Sequence, residues 1–151
     1  MANISNKKSE IDINVQEKKL YLEYKKKLSQ LRKVKKEKEA VGQVFTKGLL
    51  PLYVLYILSL EQTNGNDISH KIGVRTNGLW IPSTGGIYPL LKKLEKEKLV
   101  VGEWNKSKKA QKIYKITDEG ILQLENKKYL LQDKIEEALE VFKIIYSDLY
   151  N

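Results

Sequence analysis

The sequence predicts a mainly α-helical fold with one small β-hairpin, of the α+β type. Three observations predict it. Apolar residues recur at three- and four-residue spacing in three separate stretches, the mark of helices with one buried face. Two short β-prone runs, 99–104 and 111–116, flank a polar tip. A long apolar repeat with few breakers closes the chain after Thr117.

The elements follow in order. Residues 1–14 are polar and aperiodic, and are expected to be disordered. From Val15 to Val41 the chain is rich in Lys and Glu, and Leu20, Tyr24, Leu28, Leu31 and then Val34 draw a thin apolar stripe along a helix. Gly42 and Gly48 are expected to interrupt it. Leu49–Leu60 is almost wholly apolar and reads as a buried central helix, with Pro51 in its first turn. Asn66 or Asp67 is expected to cap a short helix of Ile68–Ile72. Ser83 is expected to cap the next helix, which runs to about Lys98 and buries Ile87, Leu90, Leu91 and Leu94. Pro89 lies inside that helix and predicts a kink. After the hairpin, Thr117 caps a final helix whose first turn holds Asp118 and Glu119, favourable at a helix amino terminus. Helix, short helix, helix, hairpin, helix is the order of a winged helix–turn–helix. The chain then divides into an amino-terminal basic helical extension (1–46), a winged helix–turn–helix domain (47–117) and a carboxy-terminal dimerisation helix (118–151).

Composition narrows the function. With no cysteine, the chain has no disulfide, no thiol nucleophile and no thiolate zinc site, which fits a reducing cytoplasm. No apolar run is long enough to span a membrane, and Met1–Lys19 lacks the apolar core of a secretory leader. The net charge of +9 is unevenly placed. Residues 1–46 carry 12 Lys/Arg against 6 Asp/Glu, residues 47–120 carry 12 against 7, and residues 121–151 carry 4 against 6. A basic body with a slightly acidic end points to a polyanion for the first two parts and a protein partner for the last. A lysine-rich, merely soluble surface explains the sum equally well.

A helix that enters a DNA groove needs one buried and one chemically equipped face. Opposite the apolar stripe of 83–98 lie Thr84, Tyr88, Lys92 and Lys96, spaced by four, with Gly85 beside Thr84. Gly85 and Gly86 would let a phosphate approach the free N–H groups of the helix start. Tyr88 could reach a phosphate or a base edge, and Lys92 a phosphate. Lys106, Lys108, Lys109 and Lys112 crowd the hairpin tip with no acidic residue from Asn105 to Lys115. A DNA backbone is the simplest counter-charge, and each neutralised phosphate contributes about −0.9 to the log–log salt dependence of binding.

The stretch Trp80-Ile81-Pro82-Ser83-Thr84-Gly85-Gly86-Ile87-Tyr88-Pro89-Leu90-Leu91-Lys92-Lys93-Leu94-Glu95 resembles the signature of the PadR family of transcriptional regulators. Lys112-Ile113-Tyr114-Lys115-Ile116-Thr117-Asp118-Glu119-Gly120 resembles the same family's wing strand and helix start. The resemblance covers roughly residues 49–120, and the helical Pro89 is part of its pattern. It implies a dimeric winged-helix protein that binds operator DNA, usually as a repressor released by a small molecule or other signal. It implies DNA contact at Ser83, Thr84, Tyr88 and the wing. The family commonly has an aromatic residue where this chain has Asn66 and a glycine where it has Lys98, so those turns are expected to differ locally.

The final helix repeats apolar residues in alternating steps of three and four: Ile121, Leu124, Leu131, Ile135, Ala138, Phe142, Ile145 and Leu149, with Lys128 the polar exception. That is a coiled-coil seam, and homodimerisation is the expectation. Phe142, Tyr146 and Tyr150 are candidates to line an effector pocket at the dimer centre, although a place in the dimer core explains Phe142 more simply. The basic extension could add DNA contacts through residues 25–38 or pack its stripe across the carboxy-terminal helix, the latter being favoured. No catalytic, metal or cofactor signature is expected: His70 has no second ligand nearby, and no Gly-Lys-Ser/Thr follows Gly85-Gly86. The other reading is a winged-helix module that binds an acidic protein. RNA binding fits less well, because the hairpin offers few stacking aromatics.

Overall fold

The computed structural model describes residues 2–107 and 111–151, with the side chains of residues 2, 3 and 39–46 left aside. Helix α1 (Ala2–Leu60) is followed by α2 (Gly65–Arg75), α3 (Thr84–Lys96), the strands β1 (Val100–Trp104) and β2 (Lys112–Ile116), and α4 (Asp118–Tyr150). These elements form the expected winged helix–turn–helix, and two compact units are distinguished, Met1–Val44 and Phe45–Asn151.

The first unit is helix throughout its described length, which corrects the expectation of a disordered 1–14. No Gly or Pro occurs between Ala2 and Val41, so nothing stops the helix from propagating toward the amino terminus. The side chains from Ile4 to Lys38 are exposed except Leu28, which is half-buried. Gly42 and Gly48 do not interrupt α1 either, since a helical glycine costs only about 1 kcal/mol relative to alanine. Pro51 consequently sits within the helix rather than in its first turn. Its missing N–H leaves the Lys47 carbonyl without an intrahelical donor. Burial of Leu50, Val54, Leu55, Ile57 and Leu58 offsets that cost, at about 1.5–3 kcal/mol for each fully buried side chain.

In the second unit those α1 residues pack with Ile68 and Ile72 of α2, Ile87, Leu91 and Leu94 of α3, Val100, Tyr114 and Leu124. Leu124 was expected on the dimer seam; it belongs instead to the core of its own chain. Helix α2 is longer than expected and starts earlier, because Asn64 is the cap: its Oδ1 accepts from the Asp67 N–H at 2.9 Å. Asp67 itself accepts from Thr63 Oγ1 at 2.6 Å. Its carboxyl is held below the ordinary carboxylate range by that hydrogen bond and by Lys71.

Both helices of the helix–turn–helix end on the same device. At the end of α2, Gly78 N–H reaches Gly73 O and Asn77 N–H reaches Val74 O; at the end of α3, Leu99 N–H reaches Leu94 O and Lys98 N–H reaches Glu95 O. These are Schellman motifs, and they place Asn77 and Lys98 in left-handed conformations, with φ of 53° and 62°. The connection between the helices is pinned at Thr76. Its Oγ1 donates to Ile72 O at 2.8 Å and accepts from Trp80 N–H at 3.1 Å. Ser69 Oγ donates to the Pro82 carbonyl, which fixes the entry to α3.

Strands β1 and β2 pair antiparallel from Val100↔Ile116 to Trp104↔Lys112. Thr63 adds a one-residue bridge to the hairpin by exchanging two backbone hydrogen bonds with Tyr114, 3.1 and 2.8 Å. Thr117 caps α4 as expected, accepting from Gly120 N–H at 3.0 Å.

Candidate nucleic-acid interface

Helix α3 buries Ile87, Leu91 and Leu94, and half-buries Leu90. The opposite side therefore faces solvent: Ser83, Thr84, Gly85, Tyr88, Lys92 and Lys96 are all exposed. Pro89 lies on this exposed side and does not end the helix. The Gly85 carbonyl, which loses its helical donor to Pro89, belongs to an exposed residue that water can reach. Ser83 occupies the cap position by backbone geometry, yet its side chain makes no capping hydrogen bond. Its carbonyl accepts from the N–H groups of Gly86 and Ile87 at 3.0 and 3.1 Å.

Tyr88 is the most constrained member of this face. It is 43% exposed, so one side of the ring meets solvent while the other is held. A Cβ added at Gly65 would stand 2.8 Å from the Tyr88 ring, so the ring occupies the space that a side chain there would need. Its hydroxyl donates to Asn66 Oδ1 at 3.2 Å. The first turn of α2 thus sets the orientation of the α3 tyrosine. Residue 66, where the PadR pattern commonly has an aromatic, supplies a hydrogen-bond acceptor here.

The wing tip opens at Asn105, whose Oδ1 accepts from the Ser107 N–H and hydroxyl at 3.1 and 2.7 Å. Lys106 is exposed there, while Lys108 and Lys109 lie outside the described residues. Lys112 is placed differently from the expectation of an uncompensated cluster. Its Nζ pairs with Glu95 Oε2 of α3 at 2.9 Å and lies over the rings of Tyr114 and Trp104, 5.5 and 5.9 Å from their centroids. The hydrogen bond to Glu95 raises the Lys112 pKa above its ordinary value. Gly102 makes this possible, since a Cβ there would strike the Lys112 stem and stand 3.0 Å from the Tyr114 ring. The ion pair ties the wing to the helix beside it.

Three residues of this surface escaped the sequence reading. Asn66 and Glu95 act across 22 and 17 residues of chain, and no local pattern marks such pairs. Trp104 is 64% exposed on the last residue of β1, and its place just before a lysine-rich tip was a usable signal. Along α4, Leu131 and Ile135 are half-buried, while Ala138, Phe142, Ile145 and Leu149 are exposed. Tyr146 and Tyr150 pack ring to ring at 5.0 Å, also exposed. An open groove of about 520 Å³ lies nearer the start of α4, beside Leu52, Tyr129, Gln132 and Ile135.

The sequence model of the transcriptional regulator PadR-like family matches residues 54–126, which hold α2, α3 and the wing. A PadR-like transcriptional regulator from Bacillus cereus is 33% identical over 65% of this chain and 95% of its own, with a TM-score of 0.53. This chain belongs to the PadR-like family. Two further solved structures share the PadR-like fold. A proposed transcriptional regulator from Thermoplasma acidophilum is 26% identical over 67% of this chain and 96% of its own, with a TM-score of 0.56. A transcriptional regulator from Clostridium thermocellum is 24% identical over 72% and 99%, with a TM-score of 0.52. No curated protein matches the chain. Family membership makes the chain a transcriptional regulator, and no helix among the described residues is long and apolar enough to cross a membrane.

Proposed function

We propose that this PadR-like regulator represses transcription by binding a two-fold-symmetric DNA operator as a homodimer in the cytoplasm. The carrying observation is the exposed face of α3, on which Ser83, Thr84, Gly85, Tyr88 and Lys92 stand around a tyrosine held by Gly65 and Asn66. A side chain held before binding loses less conformational entropy on contact, which favours a base edge or phosphate partner. The wing supplies backbone contacts through Lys106, Lys108 and Lys109. Lys112, engaged with Glu95, holds the wing's position and contributes its charge less directly.

The dimer is supported by α4. Its last turns leave Phe142, Ile145 and Leu149 uncovered, and a second copy of the same helix is the simplest cover. Residues 1–46, 47–117 and 118–151 then serve as extension, DNA-reading body and dimerisation helix. Two reading heads of such a dimer meet half-sites about 34–36 Å apart.

Titration of a random-sequence duplex over a range of salt tests the reading. Binding is expected to weaken steeply with salt, and replacing Lys106, Lys108 and Lys109 with alanine to lower the log–log slope by about 3 per chain. Tyr88→Ala is expected to weaken binding to a selected operator about tenfold or more, with the helical circular dichroism signal unchanged. Weak, salt-insensitive binding would leave an acidic protein as the partner instead.

A further inference from the structure

Among the described residues, Lys71, Lys112, Lys128 and Lys134 form ion pairs within the second unit. The first unit holds a larger and differently arranged store of charge. Residues 15–38 carry 10 Lys/Arg against 3 Asp/Glu on one continuous helix. Helical spacing sorts them. Lys18, Lys25 and Arg32 follow each other at intervals of seven, with Lys36 one turn beyond, so they form one row. Lys19, Lys26 and Lys33 form the adjoining row. Glu23 borders the second row, four residues after Lys19, and Glu37 ends it, four residues after Lys33, while the first row holds no acidic residue. All seven cations are exposed, and among the described residues none is paired with a carboxylate. Leu20, Tyr24, Leu28 and Leu31 occupy the opposite side.

We infer that this double row is a second DNA-binding surface, separate from α3 and the wing, which grips the phosphate backbone of duplex DNA. The inference rests on the DNA-binding reading of the chain. From Lys18 to Lys36 the helix rises about 27 Å, roughly four-fifths of one duplex turn. Seven like charges along it repel one another, and DNA offers about one phosphate charge per 1.7 Å of axis, dense enough to engage all of them. A membrane surface fits less well. Lys27, seven residues after Leu20, and Lys38, seven after Leu31, lie within the apolar stripe and would have to enter the acyl layer.

The test is the full-length chain carrying Lys18→Gln, Lys25→Gln, Arg32→Gln and Lys36→Gln, titrated with a random-sequence duplex. Glutamine keeps helix propensity, so the circular dichroism signal is expected to stay at wild-type level. The log–log salt slope is expected to drop by about 3 to 4 per chain, with affinity at low salt falling about tenfold or more. Slope and affinity within twofold of wild type overturn the inference. So does sedimentation with phosphatidylserine vesicles that is lost in the variant while DNA binding is unchanged. A wild-type chain that binds no duplex at all fails the DNA-binding reading itself. Failure of this surface alone leaves wild-type binding intact and still sensitive to Lys106→Ala.

Discussion

Helices α3 and α4 are both amphipathic, and they differ in where their apolar faces are satisfied. In α3 the face closes inside the chain: Ile87 and Leu91 reach zero exposure against α1 and α2. In α4 only the first turns close, at Gly120 and Leu124, and farther along Phe142 remains 42% and Leu149 67% exposed. The same three-and-four spacing therefore has two physical meanings. It marks a face that needs apolar cover, and it does not say which molecule supplies the cover. For α3 the cover is the chain's own core, which leaves the opposite face exposed. For α4 the described residues of the second unit leave the later turns open, and a second copy of the chain is the proposed cover.

The sharpest way to break this contrast is to truncate one residue from each face. Leu91→Ala is expected to lower unfolding free energy by about 2–5 kcal/mol in urea titration, because it opens a cavity in a filled core. Leu149→Ala removes the same atoms from an exposed site, so its effect on a monomer is expected to stay within about 0.5 kcal/mol. Equal losses in monomeric protein would show that α4 is covered by its own chain after all.

The oligomeric state is the next distinction. Phe142→Asp places a charge on the proposed seam and is expected to leave monomers at micromolar concentration by analytical ultracentrifugation, with the winged-helix circular dichroism retained. A persistent dimer moves the interface elsewhere on the molecule.

Much of this architecture was legible because it is local. The α3 stripe, the hairpin and the Thr117 cap each rest on residues within one element. What was not legible depends on distance or on sums of small terms. Leu124 continues the heptad perfectly, yet it packs inward because the start of α4 lies against the chain's own core. Asn64, not Asn66 or Asp67, caps α2, and it sits next to Thr63, which is bridged to Tyr114 of a distant strand. Glycine spacing suggested a break in α1, but two glycine penalties are small against the burial that follows them. The Lys112–Glu95 pair joins residues on different elements, and only the fold reveals it.

A smaller effect is expected at the end of α3. Lys98 holds φ of 62°, a conformation that costs an L side chain about 1–2 kcal/mol and glycine almost nothing. Lys98→Gly is expected to raise stability by about 1 kcal/mol by urea titration, less the backbone entropy that glycine adds to the unfolded chain. A loss of stability would mean that the lysine makes a compensating contact, and that α3 is anchored at its end by more than the Schellman hydrogen bonds.

The smallest effect sits at the start of α2, which supports α3 through Gly65 and Asn66. Asp67 is kept ionised by Thr63 and Lys71, so its folded pKa lies below the unfolded value. A depressed carboxylate contributes fully above its unfolded pKa of about 4, and the contribution disappears as pH falls through the lower folded value. Thermal melts of Asp67→Asn and wild type are therefore expected to differ by a constant amount above about pH 5 and to converge below about pH 4. A gap that persists at the acid end would assign the role of Asp67 to its shape in the first turn of α2, and leave its charge without a part in holding the frame on which Tyr88 rests.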